Sequence, residues 1–349
     1  MTTVPLVPLP SQPDTITWPT DSWPEALASD AFDRAKAQQE IDFAFSDRAV
    51  DKMGETHAFV AVHKGQIVLE KYAQGRDQTT TFPSWSKAKS ITHALVGILV
   101  HDGKIETMSR ANVPEWQESD DPRRDITLDQ LLRMSSGLKF TEDYVDSGVS
   151  DVIEMLFGAG SENVAAHAAN FPLAHAPDTV WNYSSGTSNI VARCAQQALG
   201  KTGEAFERWM FERLFTPIGI RSAQPKFDAA GTFIGSSFCY ATARDFARFG
   251  LLYMRDGVWD ARRILPKGWV DYARTPTKTP PEEPMGYGAH WWLGIAGPDS
   301  FSANGYEGQF TVCVPSLDLV MVRHGKSEAG EKGDAVRAWL ADIAGCFRT

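Results

Sequence analysis

Between Phe82 and Thr92 the chain reads Phe-Pro-Ser-Trp-Ser-Lys-Ala-Lys-Ser-Ile-Thr, which twice sets a serine three residues before a lysine: Ser84 with Lys87, and Ser86 with Lys89. Three residues of spacing on a helix bring two side chains to one face. A serine hydroxyl is a poor nucleophile at neutral pH until a base takes its proton, and a lysine amine can be that base once burial and nearby positive potential have discharged it. Pro83 suits a loop or a first helical turn, and Ile91, Ala94, Leu95, Ile98 and Leu99 recur with helical spacing as far as Asp102-Gly103, a helix stop. At about 100° per residue, Lys89 falls beside that apolar stripe and Lys87 on the opposite side. We therefore take Ser86 and Lys89 as the reactive pair, with Lys89 the buried lysine.

Two later segments carry what such chemistry still needs. In Trp181-Asn182-Tyr183-Ser184-Ser185-Gly186-Thr187-Ser188-Asn189 a tyrosine precedes small polar residues and a helix expected over about Ser188 to Leu199, closed by Gly200. A phenol there could shuttle protons; ordinary serine capping of a helix is the competing reading. The segment Ser302-Ala303-Asn304-Gly305-Tyr306-Glu307-Gly308-Gln309-Phe310 reads as a hairpin with a glycine-rich entry, running into Thr311-Val312-Cys313-Val314 and then Leu319-Val320-Met321-Val322. Glycine permits close backbone approach, so an N–H there could join that of Ser86 around a developing oxyanion; a β-bulge without function is the alternative.

Taken in order, Ser86-x-x-Lys89, Tyr183-Ser184-Ser185 and Ala303-Asn304-Gly305 resemble the serine β-lactamase and penicillin-binding-protein superfamily. Within it the chain is most similar to class C β-lactamase-related esterases, in particular the 6-aminohexanoate-dimer hydrolase branch. That similarity runs from about residue 55 to the C-terminus and includes Asp102-Gly103-Lys104-Ile105, the run from Ile126 to Leu138 with its Met-Ser-Ser-Gly-Leu ending, and Gly305-Tyr306-Glu307-Gly308-Gln309. The resemblance implies that Ser86 attacks an ester or amide carbonyl, Lys89 takes its proton, Tyr183 relays protons to the leaving group and from water, and the N–H groups of Ser86 and Tyr306 form the oxyanion hole. It also implies a pocket lined by Tyr144 and Trp292, with Ser185, Asn304 and Gly305 of the second and third motifs as further substrate-binding candidates. Penicillin-recognising members place lysine or histidine where this chain has Ala303, so an esterase or linear-amide hydrolase is expected, with weak or absent β-lactamase activity. β-Lactamase or DD-peptidase action, and a non-catalytic peptide-binding relative, are the alternatives.

The elements that must position these residues are legible in outline. A proline-rich arm with Trp18 and Trp23 occupies residues 1–30; a helix around Ala31 to Phe45 precedes a hairpin from Ala58 to Glu70 that turns at Lys64-Gly65. A mostly helical region spans 90–235. Helix Thr242 to Arg255, strands near 287–296, 309–314 and 318–324, and a final helix with Val336, Trp339, Leu340 and Ile343 on one face complete the chain. The expected fold class is α+β, an α/β/α sandwich whose antiparallel sheet is completed by both termini, so that 31–89 and 236–349 form the sheet region.

Composition sets the outer bounds. With 34 Lys and Arg against 44 Asp and Glu the 349-residue chain carries a net charge of −10, which argues against a nucleic-acid partner and says little about the substrate; the small-molecule ester or amide substrate is what the resemblance implies. No stretch is long and apolar enough for a membrane span, and Met1 to Pro8 lacks the basic start of an export signal, so a cytoplasmic enzyme is expected. The four cysteines are scattered singly in apolar surroundings, as core thiols would be, and the eight histidines show no metal-ligand spacing, so neither metal nor cofactor is expected.

Overall fold

Alternating side chains of the run Ala58-Phe59-Val60-Ala61-Val62 point to opposite faces and all are buried, which is the environment of an interior strand. In the computed structural model, which describes residues 5–24, 32–144, 150–282 and 285–347, this run lies in the middle of a sheet. Helices α1 (Arg34–Ala44) and α2 (Asp47–Met53) lead into strands β1 (Glu55–His63) and β2 (Gln66–Tyr72). Helix α3 (Lys87–His101), helix α4 (Ser185–Leu199) and helix α5 (Ala243–Met254) follow, separated by shorter helices. The last third adds β3 (Gly286–Tyr287), β4 (Trp292–Leu293), β5 (Phe301–Gly305), β6 (Gln309–Val314), β7 (Leu319–Lys326) and helix α6 (Glu331–Gly345).

The seven strands are ordered β2-β1-β7-β6-β5-β4-β3, and each neighbouring pair is antiparallel. Pairing of β1 with β7, from Glu55 opposite Lys326 to His63 opposite Leu319, is where the two ends of the chain meet in one sheet. One sheet face packs Phe59, Ala61, Val312 and Met321 against Ile41 of α1 and Trp339, Leu340 and Ile343 of α6. The other packs Val60, Val62, Ala303 and Val322 into a larger core shared with α3, α4 and α5. This is the α+β sandwich expected, with α3 enclosed between sheet and helices.

Local signals explain most boundaries. Lys64 and Gly65 both have positive φ, 50° and 82°, the signature of the two-residue turn that matches strand twist. Thr242 caps α5 by accepting from Asp245 N, and Gly200 closes α4 at φ 63°. Helix α4 starts at Ser185 rather than Ser188, because Ser184 supplies the cap, accepting from Thr187 N. Of the helix expected at Ala31 to Phe45, α1 covers Arg34–Ala44, and Ala31 lies outside the described residues. The strand expected over 287–296 is instead the two short strands β3 and β4, broken where His290 takes φ 55° and gives its N–H to Leu132 O. Strand β5 appears in the sequence only as a hairpin entry.

The arm packs on the body, as its tryptophans suggest. Trp18 lies against Trp259 at 5.0 Å, Arg248 donates to Pro19 O at 2.7 Å, and Arg255 bonds both Gln12 and Asp318, tying the arm to the start of β7.

Three histidines are sealed in the core: His93 on Tyr253 Oη, His290 on Ser188 Oγ and His324 on Gln309 Oε1. Burial pulls all three below the ordinary value of 6.5, His290 to about 3. They are neutral in the native protein and take up protons near pH 6.5 once unfolded, so the unfolded chain binds more protons as the pH falls and stability drops with it. Urea unfolding is expected to lose about 3–4 kcal/mol between pH 7 and pH 5.5 from these three groups, above the range where carboxylates titrate. A flat stability over that interval contradicts their neutral burial.

Candidate active site

Ser84 and Ser86 sit in the turn that enters α3, and their hydroxyls go to different places. Ser84 Oγ donates to Ser237 O at 3.0 Å and accepts from Cys239 N at 2.9 Å, fully buried, so it pins the turn to the strand beginning at Cys239. Trp85 between them takes φ 44°, a left-handed conformation rare for a large side chain, and thereby turns Ser86 outward to the N-cap of α3. The two lysines also diverge. Lys89 Nζ lies 3.0 Å from Ser86 Oγ, whereas Lys87 Nζ reaches Thr311 Oγ1 and His324 Nε2 under the sheet. The expectation that only Lys89 is buried is corrected: both are 1% exposed, because α3 is covered by the sheet on one side and by helices on the other.

Lys89 Nζ lies within hydrogen-bond distance of Ser86 Oγ at 3.0 Å, Ser185 Oγ at 2.9 Å and Ser236 O at 3.1 Å. Ser236 O is a carbonyl and can only accept. Ser185 Oγ gives its own hydrogen to Glu142 Oε1 at 2.6 Å, so toward the amine it too can only accept. A neutral amine therefore spends its two hydrogens on Ser185 and Ser236, and its lone pair is left for the Ser86 hydroxyl. Burial draws the amine down to about 8, partly opposed by the charge of Glu142.

Glu142 is the residue the sequence did not mark. Its carboxylate accepts from Ser185 N at 2.7 Å, Ser185 Oγ at 2.6 Å and Tyr144 Oη at 2.7 Å, and so supports both the second motif and one pocket candidate. An acid in Thr141-Glu142-Asp143-Tyr144 carries no spacing that separates it from a surface carboxylate; only its proximity to a tyrosine already singled out was available.

The other candidates fall around Ser86 to different degrees. The Tyr183 ring centre lies 4.7 Å from Lys89 Nζ and 5.3 Å from the Trp292 ring, which links both to the Ser86 and Lys89 pair. Tyr144 stacks on Tyr306 at 4.8 Å, and Tyr306 meets Trp85 edge-on at 5.6 Å. The Tyr144 phenol is held well above its usual range by burial and by Glu142. Gly305 is needed sterically: a Cβ there would meet Ser84 O at 2.4 Å, so the backbone entering Tyr306 runs directly against the turn that carries Ser86. Asn304 pairs with Phe310 and shares its face of the sheet, the one packed by α1 and α6, whereas Ala303 faces the α3 side. Among the described residues no cluster of three or more His, Cys, Asp or Glu could hold a metal ion. The four cysteines are buried and unpaired, with the Cys194 and Cys239 thiols pushed up to about 12. Among the described residues no helix is long and apolar enough to cross a membrane.

A sheet completed by both chain ends, with a serine and lysine paired at the start of an enclosed helix, is the arrangement of the β-lactamase/transpeptidase fold. Residues 47–345 match the family model Beta-lactamase, and the chain belongs to that family. It is 26% identical over 289 residues to a 6-aminohexanoate-dimer hydrolase of Paenarthrobacter ureafaciens, covering 77% of this chain and 72% of that protein. Among solved structures, a Bacillus anthracis protein provisionally assigned as a 6-aminohexanoate-dimer hydrolase superposes with a TM-score of 0.76 at 22% identity, over 98% of this chain and 90% of its own. A family VIII carboxylesterase does so with a TM-score of 0.69 at 16% identity, over 92% and 98%. These structures share the fold, and the relatives place the chain in the serine hydrolase superfamily.

The two serines are separable by experiment. Ser84→Ala leaves Ser237 O and Cys239 N without their partner and is expected to cost about 1–3 kcal/mol in urea unfolding while Ser86 still reacts with a fluorophosphonate probe. Loss of labelling with stability intact contradicts the assignment of register.

Proposed function

We propose that this protein is a serine hydrolase that cleaves a carboxylic ester or linear amide through an acyl-enzyme on Ser86. The observation that carries the reading is that Lys89 Nζ lies 3.0 Å from Ser86 Oγ while Ser185 Oγ and Ser236 O stand as acceptors for its own hydrogens. In the first step Ser86 Oγ bonds to the substrate carbonyl carbon as its proton passes to Lys89 Nζ. The carbonyl oxygen becomes an oxyanion between the N–H groups of Ser86 and Tyr306. Collapse of the tetrahedral species breaks the bond to the leaving alcohol or amine, which takes a proton through Tyr183, next to the Lys89 ammonium. Water then gives up a proton by the same route and hydrolyses the ester on Ser86, restoring the free hydroxyl.

The surroundings support an uncharged or apolar group on the substrate. Trp85, Tyr144 and Tyr306 make one set of ring contacts, and Tyr183, beside Lys89, makes another with Trp292. At the third motif Ala303 offers no cation for the carboxylate of a β-lactam. A curated relative named for hydrolysis of a 6-aminohexanoate dimer and a carboxylesterase with the same fold agree with ester or linear-amide cleavage.

Short-chain p-nitrophenyl esters are expected to be cleaved by the wild type and not by Ser86→Ala, with nitrocefin hydrolysed slowly or not at all; full turnover by the variant overturns the nucleophile. The acylation rate is expected to rise with pH as Lys89 loses its proton, with a midpoint at about 8. Because the Glu142 carboxylate favours the ammonium, Glu142→Gln is expected to move that midpoint to lower pH. A shift upward, or none, contradicts the coupling.

A further inference from the structure

The proposed reaction uses one of the two buried lysines and leaves the other unexplained. Lys87 follows Ser86 directly, yet its side chain runs away from the cleft to the inner face of the sheet. There its Nζ lies 3.2 Å from His324 Nε2, 3.4 Å from Thr311 Oγ1 and 3.4 Å from the centre of the Phe246 ring. None of its hydrogen-bond partners is an acid. Burying an amine without a counter-charge is costly, and a methionine would fill the same space at less expense, so its contacts call for an account.

The protons in this cluster can be placed from fixed backbone groups outward. Gln309 Nε2 donates to Gly325 O at 2.7 Å and Glu307 O at 3.3 Å, and Gly325 N donates to Gln309 Oε1 at 3.3 Å, which fixes the orientation of the amide. Gln309 Oε1 therefore accepts from His324 Nδ1 at 3.0 Å, so the neutral imidazole carries its hydrogen on Nδ1 and presents Nε2 as an acceptor. Lys87 must be the donor to it. An amine has a hydrogen for each of His324 and Thr311 with or without its third. Burial draws both Lys87 and His324 well below their ordinary ranges.

The chain so defined runs without a break from the residue after Ser86 to the carbonyl of the residue after Tyr306. Its far end is the tight loop Tyr306–Gly308, where Glu307 takes φ 60°. The other face of the sheet grips the same loop: Arg323 donates to Gly308 O at 2.7 Å and Ser327 N to Glu307 O at 3.0 Å. Arg323 and Ser327 hold the loop to β7 but make no link to α3, and Lys87 supplies that link.

We propose that Lys87, His324 and Gln309 form a strut that sets the separation between the N–H of Ser86 and the N–H of Tyr306, and that Lys87 is thus a positioning residue for stabilisation of the oxyanion. This rests on the assignment of Ser86 as nucleophile. An oxyanion is present only in the transition state and intermediates, so loosening the strut slows turnover without weakening substrate binding.

The test compares Lys87→Met, which keeps length and removes the donor, with Lys87→Gln, which restores an N–H donor without a charge. Each is assayed with a p-nitrophenyl ester for kcat and KM, and by thermal unfolding. Lys87→Met is expected to lower kcat by about tenfold to a hundredfold, with KM within twofold and Tm unchanged or raised. Lys87→Gln is expected to recover most of the lost kcat. Should Lys87→Met not fold, Gln309→Met cuts the strut at its far end and is expected to show the same loss confined to kcat. A kcat within twofold of wild type in Lys87→Met overturns the strut, as does a loss of rate that follows Tm with no recovery in Lys87→Gln. Failure of the underlying reading is distinct: Ser86→Ala would then retain turnover whatever residue stands at 87.

Discussion

The interaction on which the rest of the structure depends is the filling of the Lys89 amine by two acceptors that cannot give anything back. Ser236 O is a backbone carbonyl, and Ser185 Oγ has already committed its hydrogen to Glu142. With those acceptors in place, Ser86 Oγ at 3.0 Å is the hydroxyl left facing the amine in the proposed reaction. The fold supplies each part from a different place: Ser86 and Lys89 from α3, Ser185 from the first residue of α4, Ser236 from the loop before the strand at Cys239, and Glu142 from the stretch after the short helix Leu128–Leu132. Covering α3 on all sides is what takes the amine out of water. A solvent-exposed lysine at the same distance from a serine would stay charged and serve as no base.

A second constraint is closeness. Gly305 lets β5 lie against the carbonyl of Ser84, and the left-handed Trp85 presents Ser86 beside it. Two departures from ordinary backbone behaviour, one a side chain left out and one a side chain held in a rare conformation, therefore sit close to Ser86. Strain of this kind persists only where the surroundings over-determine it. Here Ser84, bonded to Ser237 and Cys239, holds the turn from beneath.

Much of this was legible in the sequence because it is local. The serine and lysine spacing, the apolar stripe of α3, the Lys64-Gly65 turn, the Gly200 stop and the helix beginning at Thr242 all depend on residues within a turn or two of each other. What was not legible depends on partners far along the chain. Helical spacing puts Lys87 opposite the apolar stripe of α3, where it reads as exposed, but it is buried because Thr311 and His324 arrive from the last quarter of the chain to cover it. Glu142 gives no local sign of its position, since its importance comes from Ser185, 43 residues later. The break between β3 and β4 likewise comes from Leu132 O, to which His290 N binds. Asn304, close to Gly305 in sequence, goes to the other face because neighbouring strand residues alternate.

The central claim is that Lys89 gives up its proton far below the ordinary lysine range, so that a neutral fraction of the amine is poised on Ser86 near physiological pH. The most direct measurement is heteronuclear NMR of protein labelled at lysine Cε and Nζ, titrated from pH 6 to 11, with Lys89→Met used to assign the resonance. The account predicts a lysine that titrates at about 8 and disappears in that variant. Titration of the Lys89 signal at the ordinary lysine value of 10.5 would contradict it.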